Sequence, residues 1–543
     1  MKYLMRALSV GACLLWGAGT ALAAPALPAP GQDIADELPK TEAELDNNLP
    51  TPKTDAKEVT FTIKNLKLDA AELNLDKGEL AQILSDSVDR EITMAELNKT
   101  IEKLTLYARR NGYPAAAAFL PPQESHDGTV IIKIIPGRYG DIKLENKSRL
   151  KETVVDGFTA GLDRGSIIRT DKLETTLYSL SDITGTKAVG VLSPGKEFGT
   201  SDLTIKITED KLSSTVVYAE NYGSTGTGRY RYGVQETLRN LSGYGDKMNI
   251  GALISNGGLR NYYLNYETLV GRGGTTLGMG FSRMDYETGY SQVSGRADTF
   301  SLFGGRTVYH QTDKKLRVVY GFDYRKLLDD YTKLVPGTEA EKHSHNFHVG
   351  IDGYWRKPGT VITYNAMGTV GRVTADSALA ETLMSPQIGD TEGAFAKLNA
   401  TTTVTQALGH KTELSVKVTG QMANRNLDSS EKFFLGGPSG VRAYPQGEAS
   451  GDMGLLGTAE LKYYTNVPGL VLSTYYDNGH VRLTHDGAGG AVTLSGWGLG
   501  LAYSKPGDWF ARLDYARRIG SHSRLSQEAL ARQRLWFLLG KIW

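Results

Sequence analysis

The chain is nearly devoid of cysteine. Among 543 residues the single one is Cys13. It lies in an amino-terminal apolar stretch, so the rest of the sequence has no disulfide, thiolate metal site or cysteine nucleophile. Excess charge of either sign is also missing: 61 Lys+Arg stand against 60 Asp+Glu, a formal net charge of +1. Nothing global therefore draws the chain to nucleic acid. Long apolar runs are absent beyond residue 22, and mean hydropathy is -0.30, which excludes a helical membrane bundle. What is plentiful is glycine and tyrosine, 63 and 28 residues, with apolar residues dispersed as in a β-rich protein.

The first residues read as a secretory signal. Lys2 and Arg6 precede an apolar run from Ala7 to Leu22, and Ala21-Leu22-Ala23 places small residues at a cleavage site, so 1–23 is a signal peptide and Ala24 the mature start. The run falls short of the ~20 apolar residues that span a bilayer. Leu14, Leu15 and Trp16 continue it past Cys13, against a lipoprotein. An exported chain with no later apolar run enters a membrane only as a closed β-barrel. Residues 24–57, with Pro25, Pro28, Pro30, Asp33, Asp36 and Glu37, read as a flexible periplasmic lead. Within it, Glu42 to Asn47 is compatible with a short amphipathic helix.

From Val59 the pattern becomes compact α+β. Val59, Phe61 and Ile63 alternate as a strand. Thr93-x-x-Glu96 opens a helix with Leu97, Ile101, Leu104 and Ala108 on one face, and Asn111-Gly112 ends it. A strand from Thr129 to Ile135 follows the turn Asp127-Gly128, closing a first module over 58–137. The scheme repeats over 138–212: a strand from Tyr139 to Leu144, a helix from Thr170 to Leu180, and a hairpin of Lys187 to Leu192 against Leu203 to Ile207.

Residues 213–543 carry apolar residues at every second position. Examples are Met248, Ile250, Ala252 and Ile254; Leu277, Met279 and Phe281; Leu316, Val318, Tyr320, Phe322 and Tyr324; and Leu414, Val416 and Val418. This is the dyad repeat of a strand with lipid on one side and a polar lumen on the other. A soluble sandwich also alternates; the signal peptide and the aromatic end Arg534 to Trp543 favour the barrel. About 330 residues at roughly 20 per strand and connection give about 16 strands. Other signals are weak. Gly496-Trp497-Gly498-Leu499-Gly500 sits in a strand pattern, not before a helix. His345 and His348 fall on opposite faces of a strand, and His343, His345 and His348 read as part of a polar extracellular loop, so no metal is expected. No nucleophile–base–acid arrangement stands out, and the chain is read as a non-enzyme without a cofactor. Between Leu435 and Tyr444 a glycine-dense turn presents one arginine between valine and alanine-tyrosine.

Several separate stretches carry a family resemblance from about residue 58 to the end. Phe119-Leu120-Pro121-Pro122-Gln123, Asp127-Gly128 and Ile134-Ile135-Pro136-Gly137 resemble one POTRA module, and Leu192-Ser193-Pro194-Gly195 with Gly199-Thr200-Ser201-Asp202-Leu203 a second. Glu220 to Tyr230 is similar to a first barrel strand and hairpin, with Glu220 where aspartate is usual. Val441-Arg442-Ala443-Tyr444, Gly451-Asp452, Glu460 and Tyr475-Tyr476-Asp477-Asn478-Gly479 resemble the sixth-loop motif and the strand after it. Together they resemble the outer-membrane transporter of two-partner secretion, the hemolysin secretion/activation class of the Omp85 superfamily.

The resemblance implies two periplasmic POTRA-like modules and a 16-stranded transmembrane antiparallel barrel over 213–543, with a lumenal loop motif near 435–452. It implies export of a large adhesin- or hemolysin-type exoprotein bearing an amino-terminal secretion domain. It further implies contact with outer-membrane lipids, insertion by the barrel-assembly machinery and function as a monomer. By the resemblance, Arg442 is the loop tip and Asp477 its partner on the barrel wall. Gly436 and Gly437 shape the turn, and Val441 and Tyr444 pack against the wall. Ala443 stands where glycine is frequent, so no positive φ is expected there. Lys541 occupies a position where the terminal strand usually carries an apolar residue. An Omp85-type insertase and a passive porin are the alternatives; the count of modules stands against the first and their presence against the second.

Overall fold

A computed structural model describes residues 45–47, 60–124, 128–183, 185–288, 293–520, 526 and 528–543. The expected signal peptide, most of the lead segment and Asp127 lie outside the described residues.

The lead contributes strand β1 (Leu45–Asn47). The first module follows with β2 (Thr60–Thr62), β3 (Asn65–Asp69), α1 (Lys77–Ser85), β4 (Glu91–Thr93), α2 (Met94–Arg110), β5 (Ala117–Phe119) and β6 (Thr129–Ile135). Thr93 and Glu96 form the expected capping box at the start of α2. Asn111 ends the helix, and Gly112 follows at φ +96°, a left-handed conformation that suits glycine. Leu97, Ile101, Leu104 and Ala108 line the buried face and pack on Ile132 and Ile134 of β6. β6 pairs in parallel with β3 and antiparallel with β5.

The second module comprises β7 (Arg138–Lys147), α3 (Glu152–Thr159), α4 (Thr170–Asp182), β8 (Thr186–Pro194) and β9 (Thr200–Glu209). Its sheet runs in the order β1-β8-β9-β7. The hairpin has the expected register, Leu192 opposite Leu203 and Ala188 opposite Ile207. Two helices, α1 and α3, are additional to the sequence reading. α3 has neither a side-chain cap nor more than one buried residue, so its local signal is faint. The lead segment is the other departure. Leu45–Asn47 is extended, not helical, because it pairs in parallel with β8, and edge pairing outweighs a weak local helix preference.

Among the described residues sixteen antiparallel strands close a barrel. They begin with β10 (Ser213–Glu220), β11 (Arg231–Arg239), β12 (Lys247–Ser255), β13 (Arg260–Val270), β14 (Thr275–Glu287) and β15 (Ser294–His310). Next come β16 (Lys314–Asp330), β17 (Glu339–Lys357), β18 (Thr360–Ala375), β19 (Gly393–Ala407) and β20 (Thr412–Ala423), with a short helix α5 (Ala378–Met384) after β18. Two-residue strands β21 (Phe433–Phe434) and β22 (Ser450–Gly451) lie in the loop after β20. The wall resumes with β23 (Met453–Tyr464), β24 (Leu470–Arg482), β25 (Ala491–Ser504), β26 (Trp509–Arg518) and β27 (Gln533–Ile542).

Every second residue faces outward. Ile250, Leu264, Phe281, Phe300 and Tyr324 are each more than a third exposed and stand opposite one another on successive strands. A continuous apolar band of this kind is what lipid requires. The closing ladder of β10 against β27 is short, Val216 opposite Ile542 to Glu220 opposite Leu538. Asn221 extends it: its side chain donates to the Leu535 carbonyl at 2.8 Å and accepts from the Phe537 amide at 2.8 Å.

α4 rests on the β15–β16 turn. Tyr178 stacks on His310 at 4.8 Å between ring centroids and shares a hydrogen bond with Thr312 at 2.8 Å. Asp182 meets both His310 Nδ1 and Lys315 Nζ at 2.8 Å. Burial pushes the Asp182 carboxyl up, and the His310 hydrogen bond with the Lys315 charge more than offsets this, holding it below the usual carboxylate range.

Candidate functional site

Between β20 and β23 the chain does not form an outward hairpin. Residues 424–452 turn into the barrel, and Leu435, Val441, Arg442, Ala443 and Tyr444 are all buried. The turn is tight: the Val441 amide donates to the Leu435 carbonyl at 2.7 Å and the Gly440 amide to Gly437 at 3.0 Å. Gly437 has φ +120°, and a Cβ on Gly436 would lie 2.5 Å from the Pro445 carbonyl oxygen. Both glycines of the sequence motif are therefore required by geometry. Ala443 is not among the positive-φ residues.

Arg442 is the hub of the loop tip. Its Nε donates to Asp477 Oδ2 at 2.9 Å, its Nη2 to Asp477 Oδ1 at 2.8 Å, and its backbone amide to Asp477 Oδ2 at 3.1 Å. Such a two-pronged guanidinium–carboxylate pair fixes direction as well as charge. The guanidinium lies 3.1 Å from the Tyr475 ring centroid. Its Nη1 lies 3.5 Å from Asp514 and 3.6 Å from Glu460. Arg512 neutralises the opposite side, with Nε 2.6 Å from Asp514 and Nη2 3.6 Å from Glu460. Two cations and three carboxylates thus share one enclosed cluster. Trp536 of the last strand donates its indole N–H to the Arg442 carbonyl at 2.7 Å.

The wall is cut to receive the tip. A Cβ on Gly498 would lie 2.4 Å from the Tyr475 ring, and one on Gly496 would lie 2.5 Å from Ala443 Cβ. The glycine run of β25 is a seat for the loop, in keeping with small residues easing close approach.

A second set of contacts, on the limb that enters the lumen, is not anticipated by the sequence reading. Asp428 pairs with Lys342 at 2.6 Å. Glu431 pairs with Arg325 at 2.9 Å and Lys397 at 2.7 Å, and accepts from Asn346 at 2.8 Å. Lys432 meets Asp452 at 3.0 Å, tying the two limbs together. The side chains of Arg325, Lys342, Asp428 and Glu431 are nearly fully buried. The wall residues lie 86 and 106 positions from their loop partners, so no local pattern reveals them.

The histidines require a correction. His343, His345 and His348 lie within β17, not in an extracellular loop. That strand is 19 residues long; its exposed large apolar side chains are Phe347, Val349, Ile351 and Trp355, and the residues before them are mostly polar. His343 pairs with Asp376 at 2.8 Å, whereas His348 lies 3.7 Å from Asp323 on the other face. No cluster of three or more metal-binding side chains occurs among the described residues. Lys541 extends its ammonium along the aromatic rim, 5.3 Å from the Trp509 ring and 5.0 Å from that of Trp543, which accommodates a charge at that position.

Comparison with known proteins agrees with this architecture. A family model described as haemolysin secretion/activation protein ShlB/FhaC/HecB matches residues 199–503, and one for the ShlB-type POTRA domain matches residues 61–137. The chain is 29% identical over 480 residues to the heme/hemopexin transporter protein HuxB of Haemophilus influenzae, covering 85% of this chain and 84% of that one. It is 21% identical over 461 residues to the outer membrane transporter CdiB of Dickeya dadantii, covering 81% and 80%. The solved structure of CdiB from Escherichia coli superposes with a TM-score of 0.69 at 19% identity, over 91% of this chain and 93% of that one.

Proposed function

The chain belongs to the haemolysin secretion/activation family, and from that premise we propose how its parts divide the work of moving a protein across the outer membrane. It is an outer-membrane transporter of two-partner secretion with its amino-terminal modules in the periplasm, and it exports a partner exoprotein. The modules capture an extended segment of that partner by main-chain pairing, which supplies affinity with little demand on sequence. The polypeptide then passes through the barrel. Direction comes from folding outside, with no nucleotide and no covalent step.

The observation that carries the reading is the tethering of Arg442 inside a closed barrel. A solvated surface arginine contributes little, but a buried guanidinium clamped to Asp477 at 2.8 Å and 2.9 Å commits the loop to one arrangement. Val441, Arg442 and Tyr444, on the turn made by Gly436 and Gly437, hold the resting or conducting form of the pore, and Asp477 is the lumenal anchor. The limb contacts through Asp428 and Glu431 fix the same loop at a second height. Outer-membrane lipids surround the apolar band, the barrel-assembly machinery inserts the chain by its aromatic last strand, and one copy forms the pore.

The test is export of a candidate partner exoprotein from cells carrying the intact chain or a chain without residues 58–212, at equal barrel levels. Loss of export with the barrel present is expected. Undiminished export without the modules would overturn the assignment of capture to them.

A further inference from the structure

A cation on the lipid-facing wall of a barrel needs an anion or the water at the membrane edge, because a guanidinium keeps its proton and hydrocarbon does not solvate it. The outward face of β16–β18 presents such a group. α4 of the periplasmic module rests on the β15–β16 turn, which marks the inner end of the wall. The last residues of β16 and β18 and the first of β17 therefore lie at the outer end. Toward that end one outward rung runs Leu302, Phe322, Phe347 and Val370, each opposite the next. It is wholly apolar. The next rung runs Phe300, Tyr324, His345 and Arg372, and the one beyond it has Lys326 opposite His343. Within two rungs the apolar band gives way to cations and polar rings on three neighbouring strands.

The acids close by already have partners. Asp298 accepts both prongs of Arg283 at 2.6 Å and 2.9 Å, and Asp376 meets His343 at 2.8 Å. Glu341 is 3.9 Å from Lys326, too far for a hydrogen bond, so that ammonium keeps its donors available. Arg372 is exposed and, among the described residues, has neither an ion pair nor a hydrogen bond. The ring of His345 stands 5.0 Å from that of Tyr324 and 5.3 Å from that of His343, forming a shelf of rings beside Arg372. Such a set suits a phosphorylated lipid head. The guanidinium fork matches two phosphate oxygens, Lys326 adds a point charge, and tyrosine is at home at the depth of head groups. The apolar rung beneath supplies a floor for acyl chains.

We propose that Arg372 and Lys326, with His345 beside them, bind a phosphate of the acylated, phosphorylated sugar lipid of the outer leaflet, lipopolysaccharide, whose acyl chains run along Phe322, Phe347 and Val370. The site follows from the barrel's place in the outer membrane and does not depend on what the pore exports. It puts a lipid contact on the outer face of β17, whose inner face holds the entering limb of the loop through Lys342 and Asn346.

The experiment measures binding of fluorescent lipid A to the purified full-length transporter in detergent, with heat-modifiability as the check on the barrel. Arg372→Gln combined with Lys326→Gln should weaken binding at least about tenfold, while Lys505→Gln, which removes a charge at the periplasmic rim, should leave it unchanged. No loss in the first, or an equal loss in both, would overturn the site. Arg372→Lys keeps the charge and loses the fork; it should weaken binding by about threefold, and unchanged affinity would overturn the assignment of the phosphate to Arg372. Three unlabelled competitors identify the source of the phosphate: dephosphorylated lipid A, phosphatidylglycerol and inorganic phosphate should each fail to displace the labelled lipid at the concentration at which lipid A does. Displacement by the first would mean binding through acyl chains alone, by the second any anionic lipid, and by the third a free phosphate; each would overturn the proposal.

Discussion

Replacing Arg442 by alanine isolates the loop anchor. In the intact chain Arg442 pairs with Asp477 and lies beside Asp514 and Glu460, which Arg512 also meets; in the variant Arg512 keeps Asp514 and Glu460, and Asp477 loses its cation. Asp477 and Asp514 are 0% and 2% exposed, so water cannot replace the lost guanidinium while the loop stays docked. Removing one partner of a buried pair costs about 3–5 kcal/mol. At about 1.4 kcal/mol per factor of ten, the docked-to-undocked ratio of the loop falls by roughly 10²- to 10⁴-fold. The barrel itself should survive, because its ladders do not depend on the loop tip. The expected result is a heat-modifiable barrel at normal levels, faster amide exchange over residues 436–446, and export reduced at least about tenfold. Arg442→Lys should fall between, since it keeps charge but loses the two-pronged geometry. Unchanged exchange in the loop, with export within about twofold of the intact chain, would refute the reasoning.

Three other outcomes follow from the same structure. Asp428→Asn leaves the buried Lys342 ammonium without its 2.6 Å partner, so the entering limb should loosen and single-channel conductance in planar bilayers should rise; an unaltered conductance would contradict a second tether. Asn221→Ala removes two hydrogen bonds across the closing ladder. At about 1 kcal/mol each, the temperature of the barrel's electrophoretic shift should drop, and no drop would show that the seam does not need this staple. For Asp182, held below its ordinary range by His310 and Lys315, the sign is that of a depressed carboxylate. Its contribution to docking α4 on the barrel is complete above about pH 4 and is lost as pH falls further. Spin labels on α4 and on the β15–β16 turn should keep their separation from pH 7 to about pH 4 and spread below it; spreading already at pH 6 would contradict this assignment.

The barrel was legible because a strand between lipid and water must alternate, and it does so at Ile250 and Ile254 or Leu277, Met279 and Phe281. The helix opened by Thr93 was legible because the capping box is a local device. Arg442 stood out only through its glycine-rich turn, and Asp477 through family resemblance; the 35 positions between them follow no periodic rule. Asp514, Arg512 and the Asp428 and Glu431 contacts escaped notice because a barrel brings together side chains from distant strands. His343, His345 and His348 lie in β17 and not in a loop, because polar residues along the first half of that strand read as a connection when only the apolar alternation from Phe347 onward is followed. Leu45–Asn47 is extended where the sequence suggests a helix, because its conformation is set by pairing with β8, a strand of the second module that no local pattern connects to it.

The central claim is transport of a polypeptide by this chain alone, without an energy source. The most direct test is reconstitution of the purified transporter into lipid vesicles, followed by addition of unfolded exoprotein to the side bearing the modules and protease challenge outside. The account predicts protected, full-length exoprotein inside vesicles that contain the intact chain, with no added nucleotide, and none with Arg442→Ala. Vesicles that conduct ions yet never protect the exoprotein would contradict it.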